Sequence, residues 1–104
     1  MTSMKSKIEI PKDEIIKFCQ KWKISEFALF GSAIRDDFGP DSDIDVCVTF
    51  APDANPSLYD LAIMEEELHE IFNRKVDLVE KAGLRNPFRR REILKNLEII
   101  YASR

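Results

Sequence analysis

The 104-residue sequence has little glycine and histidine, and this scarcity excludes several kinds of site. Its three glycines, Gly31, Gly39 and Gly83, fit neither the G-x-G-x-x-G dinucleotide fingerprint nor the phosphate-binding P-loop. The single histidine and the two cysteines are too few and too widely spaced for the usual Cys/His zinc sites. A Ser-His-Asp triad would need His69 as its base, and no residue near it in the sequence supports that role.

Long apolar runs are also absent, and the longest, such as 27–30, span four residues. The sequence therefore predicts neither a transmembrane helix nor a secretory signal, and we expect no membrane partner. Cys19 and Cys47 lie 28 positions apart and do not form a disulfide framework, so both are expected to be reduced. Together these features predict a cytoplasmic protein.

Charged residues make up 34% of the sequence, but the two signs nearly balance and leave a net charge of −3. A general nucleic-acid coat protein would be strongly basic, so we expect no strong general binding to nucleic acid. The length and the apolar content of 44% predict one domain over residues 1–104, with residues 1–10 partly flexible. This charge is compatible with a small nucleotide ligand.

Hydrophobic periodicity predicts alternating helices and strands, which indicates an α/β or α+β domain with helices packed on a small sheet. The predicted strands lie at 26–30, 43–50 and 75–80. Helices are predicted from Pro11, after Ser57 and from Pro87, with a short one that opens at Ser32. A short connection favours antiparallel pairing of the first two strands, whereas the helix between the second and third allows parallel pairing. Residues 97–101 fit either a final edge strand or an extension of the last helix.

Two aspartates on the second strand, Asp43 and Asp45, are the most informative feature. They are two residues apart, so both carboxylates point to the same face of the strand. Such like charges are costly side by side unless a cation neutralises them, and hard divalent cations prefer carboxylate oxygen. Asp77 lies opposite its apolar neighbours on the third strand. If these strands are close, three carboxylates converge, a number that suits two Mg²⁺ ions about 3.5–4 Å apart.

The alternative is that Asp43 and Asp45 are solvated strand residues beside a turn and that Asp77 is an exposed acid on an edge strand. The neighbouring Gly31 and Ser32 weigh against it, because a helix that begins there presents free backbone N–H groups to an anion. The Ser32 hydroxyl adds a hydrogen bond to a phosphate oxygen, although it also fits a plain helix N-cap. Carboxylates for a metal and amides for phosphates together describe a nucleoside-triphosphate site.

The pattern Gly31-Ser32-x(10)-Asp43-x-Asp45 resembles the signature of the DNA-polymerase-beta-like nucleotidyltransferases. The segment 75–79 resembles the one that carries the third carboxylate of that family. An Asn-Pro pair followed by an apolar C terminus is similar to the minimal nucleotidyltransferase (MNT) domains, the MntA-like antitoxins of HEPN/MNT toxin–antitoxin systems. This resemblance extends over nearly the whole chain.

The resemblance implies a mixed sheet with helices packed mainly on one face, the nucleotidyltransferase fold. It also implies an enzyme that transfers a nucleoside monophosphate from a triphosphate and releases pyrophosphate. In that reaction Asp43 and Asp45 would hold both Mg²⁺ ions. Asp77 would bind the catalytic ion and help to activate the acceptor hydroxyl.

The same resemblance implies where the triphosphate binds. Gly31 and Ser32 would hold its β- and γ-phosphates, with Arg35 as a further nucleotide-binding residue. Many relatives carry arginine directly after Gly-Ser, where this chain has Ala33, and Arg35 retains the second arginine of their pattern.

The resemblance further implies a protein partner. MNT proteins are usually encoded beside a HEPN ribonuclease toxin, and their family activity is adenylylation of a tyrosine on that toxin with ATP. No separate substrate domain is expected in this chain, so we expect a second protein to complete the acceptor site, and a homo- or hetero-oligomer fits this. Two alternatives stay open: a non-catalytic nucleotide-binding antitoxin that acts by occlusion, and a transferase of small molecules such as aminoglycosides.

A basic cluster lies near the last predicted helix and consists of Arg85, Arg89, Arg90, Arg91 and Lys95. Such a cluster fits a contact for triphosphate, RNA or an acidic partner. The favoured interpretation is the charged outer face of an amphipathic helix whose Phe88, Ile93 and Leu94 pack inward.

Overall fold

The computed structural model describes residues 10–31 and 43–103. Its elements in chain order are helix α1 (Lys12–Trp22), strands β1 (Ile24–Phe30) and β2 (Ile44–Phe50), helix α2 (Leu58–Phe72), strand β3 (Val76–Glu80), helix α3 (Pro87–Lys95) and strand β4 (Glu98–Ala102). The four strands form one mixed sheet in the order β3-β2-β1-β4. The predicted α/β architecture is confirmed.

Strand orientation follows from the length of each connection. β1 pairs antiparallel with β2 and with β4, and β2 pairs parallel with β3. Parallel neighbours need a long crossover, and α2 provides it between β2 and β3. Both predicted pairings are thus confirmed, and the ambiguous C-terminal segment is an edge strand. The short helix predicted from Ser32 lies outside the described residues.

One face of the sheet packs against α1 and α2 and forms the main core. Alternate side chains of β2 point to this face, and Ile44, Val46 and Val48 are fully buried there. The other buried members of the cluster come from α1, β1, α2 and β3, and they are Ile15, Phe18, Cys19, Ile24, Phe27, Leu29, Met64, Leu68 and Val76. Two of three described helices therefore cover one face, as predicted.

The third helix, α3, covers part of the opposite face. Its Ile93 packs with Phe30 and Cys47 in a second, smaller cluster. Phe88 was predicted to pack inward as well, and this is wrong, because its side chain is 78% exposed. A helix turns about 100° per residue, so a side chain five positions before Ile93 points away from the sheet. Leu94 is half-buried.

Both cysteines are free thiols, which matches the expectation that neither forms a disulfide. Burial raises the pKa of the Cys19 thiol to about 12. Burial also raises the pKa of Cys47, although the positive charges of Lys81 and Arg90 partly oppose it. Both thiols are therefore protonated at neutral pH and act as small apolar side chains.

Local sequence determines where α2 and α3 begin. Ser57 and Asp60 form a capping box at the start of α2, with both hydrogen bonds 3.0 Å long. Asn73 ends α2 in the left-handed conformation, with φ of 56°. Asn86 caps α3, and Pro87 occupies its first turn. Within the described ranges, no helix is both long and apolar enough to cross a bilayer.

The Glu67 carboxylate joins α2 to the end of α1. One of its oxygens accepts a 2.6 Å hydrogen bond from Lys21 Nζ, and the other accepts a 2.9 Å bond from Trp22 Nε1. Burial alone would raise the pKa of the Glu67 carboxyl. The hydrogen bonds from Lys21 and Trp22, with the lysine charge, outweigh burial and hold that pKa below its ordinary value. The ionised carboxylate is thus the form that the folded state stabilises.

We predict that Glu67→Gln lowers the free energy of unfolding by about 1 kcal/mol at pH 7, the usual effect of losing one such hydrogen-bonded partner. A depressed folded-state pKa stabilises the fold above the unfolded pKa, and that contribution disappears as the pH falls through the folded value. The difference between wild type and variant should therefore shrink below about pH 4.5, the ordinary pKa of the group. Urea unfolding across pH measures it.

The matched control is Glu66→Gln, which changes the adjacent and exposed glutamate. We expect its effect on unfolding to stay small at every pH. A Glu67→Gln effect that is constant with pH, or equal to that of Glu66→Gln, would contradict the assigned role of the carboxylate.

Candidate active site

The parallel pairing of β2 and β3 places two of the predicted site residues opposite each other. In the strand register, Asp45 pairs with Asp77. Neighbouring strands lie about 4.8 Å apart, so residues in register on the same face are direct neighbours. Both aspartates are the second residue of their strand, which locates the pair at the end of the sheet where β2 and β3 begin.

Asp43 precedes β2 at the same end of the sheet. Because successive side chains alternate across a strand, Asp43 and Asp45 extend toward the same face. The main-chain N–H of Ile44, between them, donates a 2.9 Å hydrogen bond to the carbonyl of Lys75. The ladder between β2 and β3 therefore begins right beside the carboxylates. Asp43 and Asp77 are exposed, and Asp45 is half-buried.

Gly31 lies against the Asp45 side chain. Phe30, the last residue of β1, pairs with Asp45 in the antiparallel register, and the chain leaves the strand at the next residue. Gly31 has φ of +67°, a conformation that L side chains rarely adopt. A Cβ atom at this position would also overlap Oδ2 of Asp45. Both the backbone conformation and the close approach of the carboxylate therefore require glycine.

Buried apolar side chains lie next to Asp45 on the same face of the sheet. Phe30 and Cys47, which flank Asp45 on the same face, are 8% and 2% exposed. Ile93 of α3 closes this cluster. The Asp45 side chain therefore rises from a well-packed part of the sheet, whereas Asp43 and Asp77 meet solvent.

Further along this face, polar contacts hold α3 to the sheet. The Nζ of Lys81, in the turn after β3, lies 3.4 Å from Oε1 of Glu26 on β1. Arg90 of α3 donates a 3.2 Å hydrogen bond to the main-chain carbonyl of Lys81. These contacts connect β1, the turn after β3 and α3 around the apolar cluster.

The structure thus brings Asp43, Asp45, Asp77 and Gly31 to one end of the sheet, where β1 ends and β2 and β3 begin. The other two predicted residues, Ser32 and Arg35, lie outside the described ranges. Sequence reasoning did not predict the contact between Gly31 and Asp45. The feature that could have predicted this contact is the antiparallel pairing of the first two strands, which sets Phe30, the residue before the glycine, opposite Asp45.

The carboxylate oxygens at this end of the sheet are suitable ligands for a divalent cation. Carboxylate oxygens from adjacent strands are the ligands that Mg²⁺ prefers, and like charges in register need a cation between them. As the side chains stand, no three Asp, Glu, His or Cys groups in residues 10–31 and 43–103 form a metal-binding group. The strand register, rather than a preformed cage, is therefore the structural basis for assigning the site.

Comparison with known proteins agrees with this geometry. The family model described as the nucleotidyltransferase domain matches residues 12–100. A Methanocaldococcus jannaschii protein provisionally named a protein adenylyltransferase is 36% identical over 77 residues, which cover 74% of this chain and 77% of that protein. The family match includes Asp43, which precedes β2, and the strands that carry Asp45 and Asp77.

Two solved structures share the fold. A chain in a toxin–antitoxin complex with AMP-PNP aligns with a TM-score of 0.74 and 20% identity, over 91% of this chain and 76% of that chain. A chain from the complex of tri-AMPylated Shewanella oneidensis HEPN toxin with MNT antitoxin aligns with a TM-score of 0.63 and 19% identity, over 88% of this chain and 70% of that chain.

At these identities the structural matches establish the fold alone. The family match, over nearly the whole chain, and the identity to the Methanocaldococcus protein establish the family as well. They agree with the Gly-Ser and Asp-x-Asp spacing and with the pairing of Asp45 and Asp77. The chain therefore belongs to the nucleotidyltransferase domain family of enzymes.

Proposed function

We propose that this protein is a Mg²⁺-dependent adenylyltransferase that transfers AMP from ATP to a tyrosine of a HEPN-type toxin and so acts as its antitoxin. The observation that carries the proposal is the register of Asp45 with Asp77, beside Asp43 and against Gly31. Support for the nucleotide comes from a fold neighbour in a toxin–antitoxin complex with AMP-PNP, and support for the partner from one in complex with a tri-AMPylated HEPN toxin.

In this proposal Asp43 and Asp45 would hold two Mg²⁺ ions, and Asp77 would help to hold one of them. When bound, Mg²⁺ would neutralise the triphosphate and favour the ionised form of the acceptor hydroxyl. Gly31 and Ser32 would hold the β- and γ-phosphates, with Arg35 as a further nucleotide-binding residue. The absence of a Cβ at Gly31 lets the backbone approach both the phosphates and the Asp45 carboxylate.

The reaction is a substitution at the α-phosphorus of ATP. The tyrosine oxygen forms a bond to the α-phosphorus, and the bond from the α-phosphorus to the bridging oxygen of the β-phosphate breaks. Pyrophosphate leaves, and the tyrosine proton passes to the Asp77 carboxylate and then to solvent. Positioning and charge neutralisation, rather than covalent chemistry by the protein, provide the catalysis.

The chain surface supports a second protein as the acceptor. The carboxylates lie at the end of the sheet where β2 and β3 begin, and Asp43 and Asp77 are exposed there. A protein that brings its hydroxyl to this end of the sheet completes the site. We propose that the acceptor protein is a HEPN toxin encoded nearby, and that it forms a hetero-oligomer with this chain in the cytoplasm.

We predict that wild-type protein, with ATP and Mg²⁺, adds one or more adenylyl units to the HEPN protein encoded beside it. The Asp43→Asn/Asp45→Asn variant should add none, because it lacks the charge that holds the ions. Intact-mass spectrometry of the partner measures the transfer. The control Asp13→Asn/Asp53→Asn alters two exposed aspartates outside the site and changes net charge equally.

Complex formation is measured on the same samples. Loss of transfer in the Asp43→Asn/Asp45→Asn variant, with the complex intact, is the expected result. If the wild type forms a stable complex and neutralises the partner without adding mass, the protein acts by occlusion and the proposal is wrong. Transfer to an aminoglycoside but not to the partner would also contradict it.

We further predict that Gly31→Ala lowers the rate of AMP transfer by about 100-fold, since a displacement near 1 Å in an active site has that effect. The new methyl group must displace the Asp45 carboxylate and is strained at positive φ. The control Gly83→Ala adds a methyl group that meets nothing within 4 Å. Steady-state kinetics with thermal melts separates lost activity from lost folding, and a Gly31→Ala enzyme as active as Gly83→Ala would refute the contact.

A further inference from the structure

Helix α3 exposes almost its whole surface, although it packs on the face of the sheet that carries the candidate site. Within α3, all of whose residues are described, Ile93 is the one buried side chain. We define the α3 outer face as Phe88, Arg91 and Lys95. These residues are spaced i, i+3 and i+7 and therefore share one side of the helix. All three side chains are exposed.

The α3 outer face combines an exposed aromatic ring with positive charge. Phe88 is 78% exposed, among the highest values for a large apolar side chain in the described residues. The inward-pointing Arg90 is hydrogen-bonded to the Lys81 carbonyl. By contrast, Arg91 and Lys95 form no side-chain hydrogen bond or ion pair within residues 10–31 and 43–103. Their charge is therefore not used by the described part of the fold.

The segment that contains α3 is positively charged, whereas the rest of the chain is negatively charged. Residues 85–95 contain five basic side chains and one acidic side chain, a local charge of +4, whereas the whole chain has −3. The remaining residues therefore carry −7 by difference. A basic patch on an acidic protein attracts acidic surfaces to one place and repels them elsewhere, which orients an approaching partner.

Packing links α3 to the candidate site. Ile93 contacts the cluster that contains Phe30 and Cys47, and Phe30 pairs with Asp45. The helix therefore lies on the same face of the sheet as the Asp45 and Asp77 carboxylates. A protein bound to the α3 outer face lies beside the end of the sheet that carries the carboxylates, where its hydroxyl would react.

We infer that the α3 outer face is the docking surface for the acceptor protein, whose complementary surface is acidic and has an apolar pocket for Phe88. This inference rests on the proposed function. Arginine and aromatic side chains are enriched where protein interfaces derive most of their binding energy. A protein is favoured over RNA because the face offers one aromatic ring rather than a row of them for base stacking, and because the chain as a whole is acidic.

The test uses the full chain, the Arg91→Glu/Lys95→Glu variant and the purified HEPN protein encoded beside it as the probe. Reversal of two interface charges should weaken binding by about 100-fold, or roughly tenfold for each residue. Raising the salt concentration should weaken the wild-type complex more steeply than the variant complex. The variant should raise the KM for the partner and leave kcat unchanged, because neither residue belongs to the proposed catalytic machinery.

The matched control is Lys12→Glu/Lys17→Glu on α1, which changes net charge equally on the opposite side of the sheet. Both of these lysines are exposed, as are Arg91 and Lys95. The control should bind the partner with wild-type affinity. A Phe88→Ala variant should weaken binding by about tenfold without any change of charge.

Three outcomes overturn the inference. Wild-type affinity in Arg91→Glu/Lys95→Glu excludes the α3 outer face and leaves AMP transfer untouched. Equal weakening in the control shows that overall charge, rather than this face, controls binding. Retained affinity for the partner with lost affinity for a single-stranded RNA oligonucleotide assigns the face to nucleic acid instead.

Binding and transfer are measured separately, so the two proposals fail in different ways. A wild-type complex that adds no adenylyl group contradicts the proposed function, while the variant affinities still decide where the partner docks. A wild-type protein that does not bind the HEPN protein at all overturns both.

Discussion

The site depends on the parallel pairing of β2 with β3. That pairing sets Asp45 opposite Asp77, although 31 residues separate them in the sequence. The crossover helix α2 makes parallel pairing possible, and its capping box at Ser57 fixes where the crossover begins. Fold and site therefore share one constraint, because whatever disturbs the crossover also separates the carboxylates.

Burial of one face fixes which side chains the other face presents. Ile44, Val46 and Val48 are buried beneath α1 and α2, so the residues between them must point to the opposite face. A slip of one residue would bury the carboxylates and expose the aliphatic side chains, which the hydrophobic effect and the cost of burying charge both oppose. The same apolar packing that stabilises the sheet thus orients Asp43 and Asp45.

Gly31 adds a local constraint to this pairing. The residue follows β1 directly, where the antiparallel register brings Asp45 across from the end of the strand. Its positive φ turns the chain, and its missing side chain leaves room for the carboxylate. The glycine therefore connects the strand that ends at the site with the strand that supplies the carboxylate.

Much of this arrangement could be predicted from the sequence, because it depends on local patterns. Alternation in β2 predicted the buried and polar faces, and caps and prolines predicted the starts of α2 and α3. The choice between strand and helix for the C-terminal segment could not be predicted, since pairing with β1 decides it and periodicity does not. The orientation of Phe88 was mispredicted for a related reason. Ile93 is the one buried residue of α3, and the phase of a short helix is set by its contact with the sheet rather than by its own pattern.

The central claim is that Asp43, Asp45 and Asp77 form one metal–nucleotide site beside Gly31. Anomalous diffraction from crystals grown with Mn²⁺ and a non-hydrolysable ATP analogue tests it most directly. We expect Mn²⁺ peaks within bonding distance of these three carboxylates, with the triphosphate against Gly31. Metal and nucleotide bound elsewhere on the chain, or a triphosphate bound without the carboxylates, would contradict it.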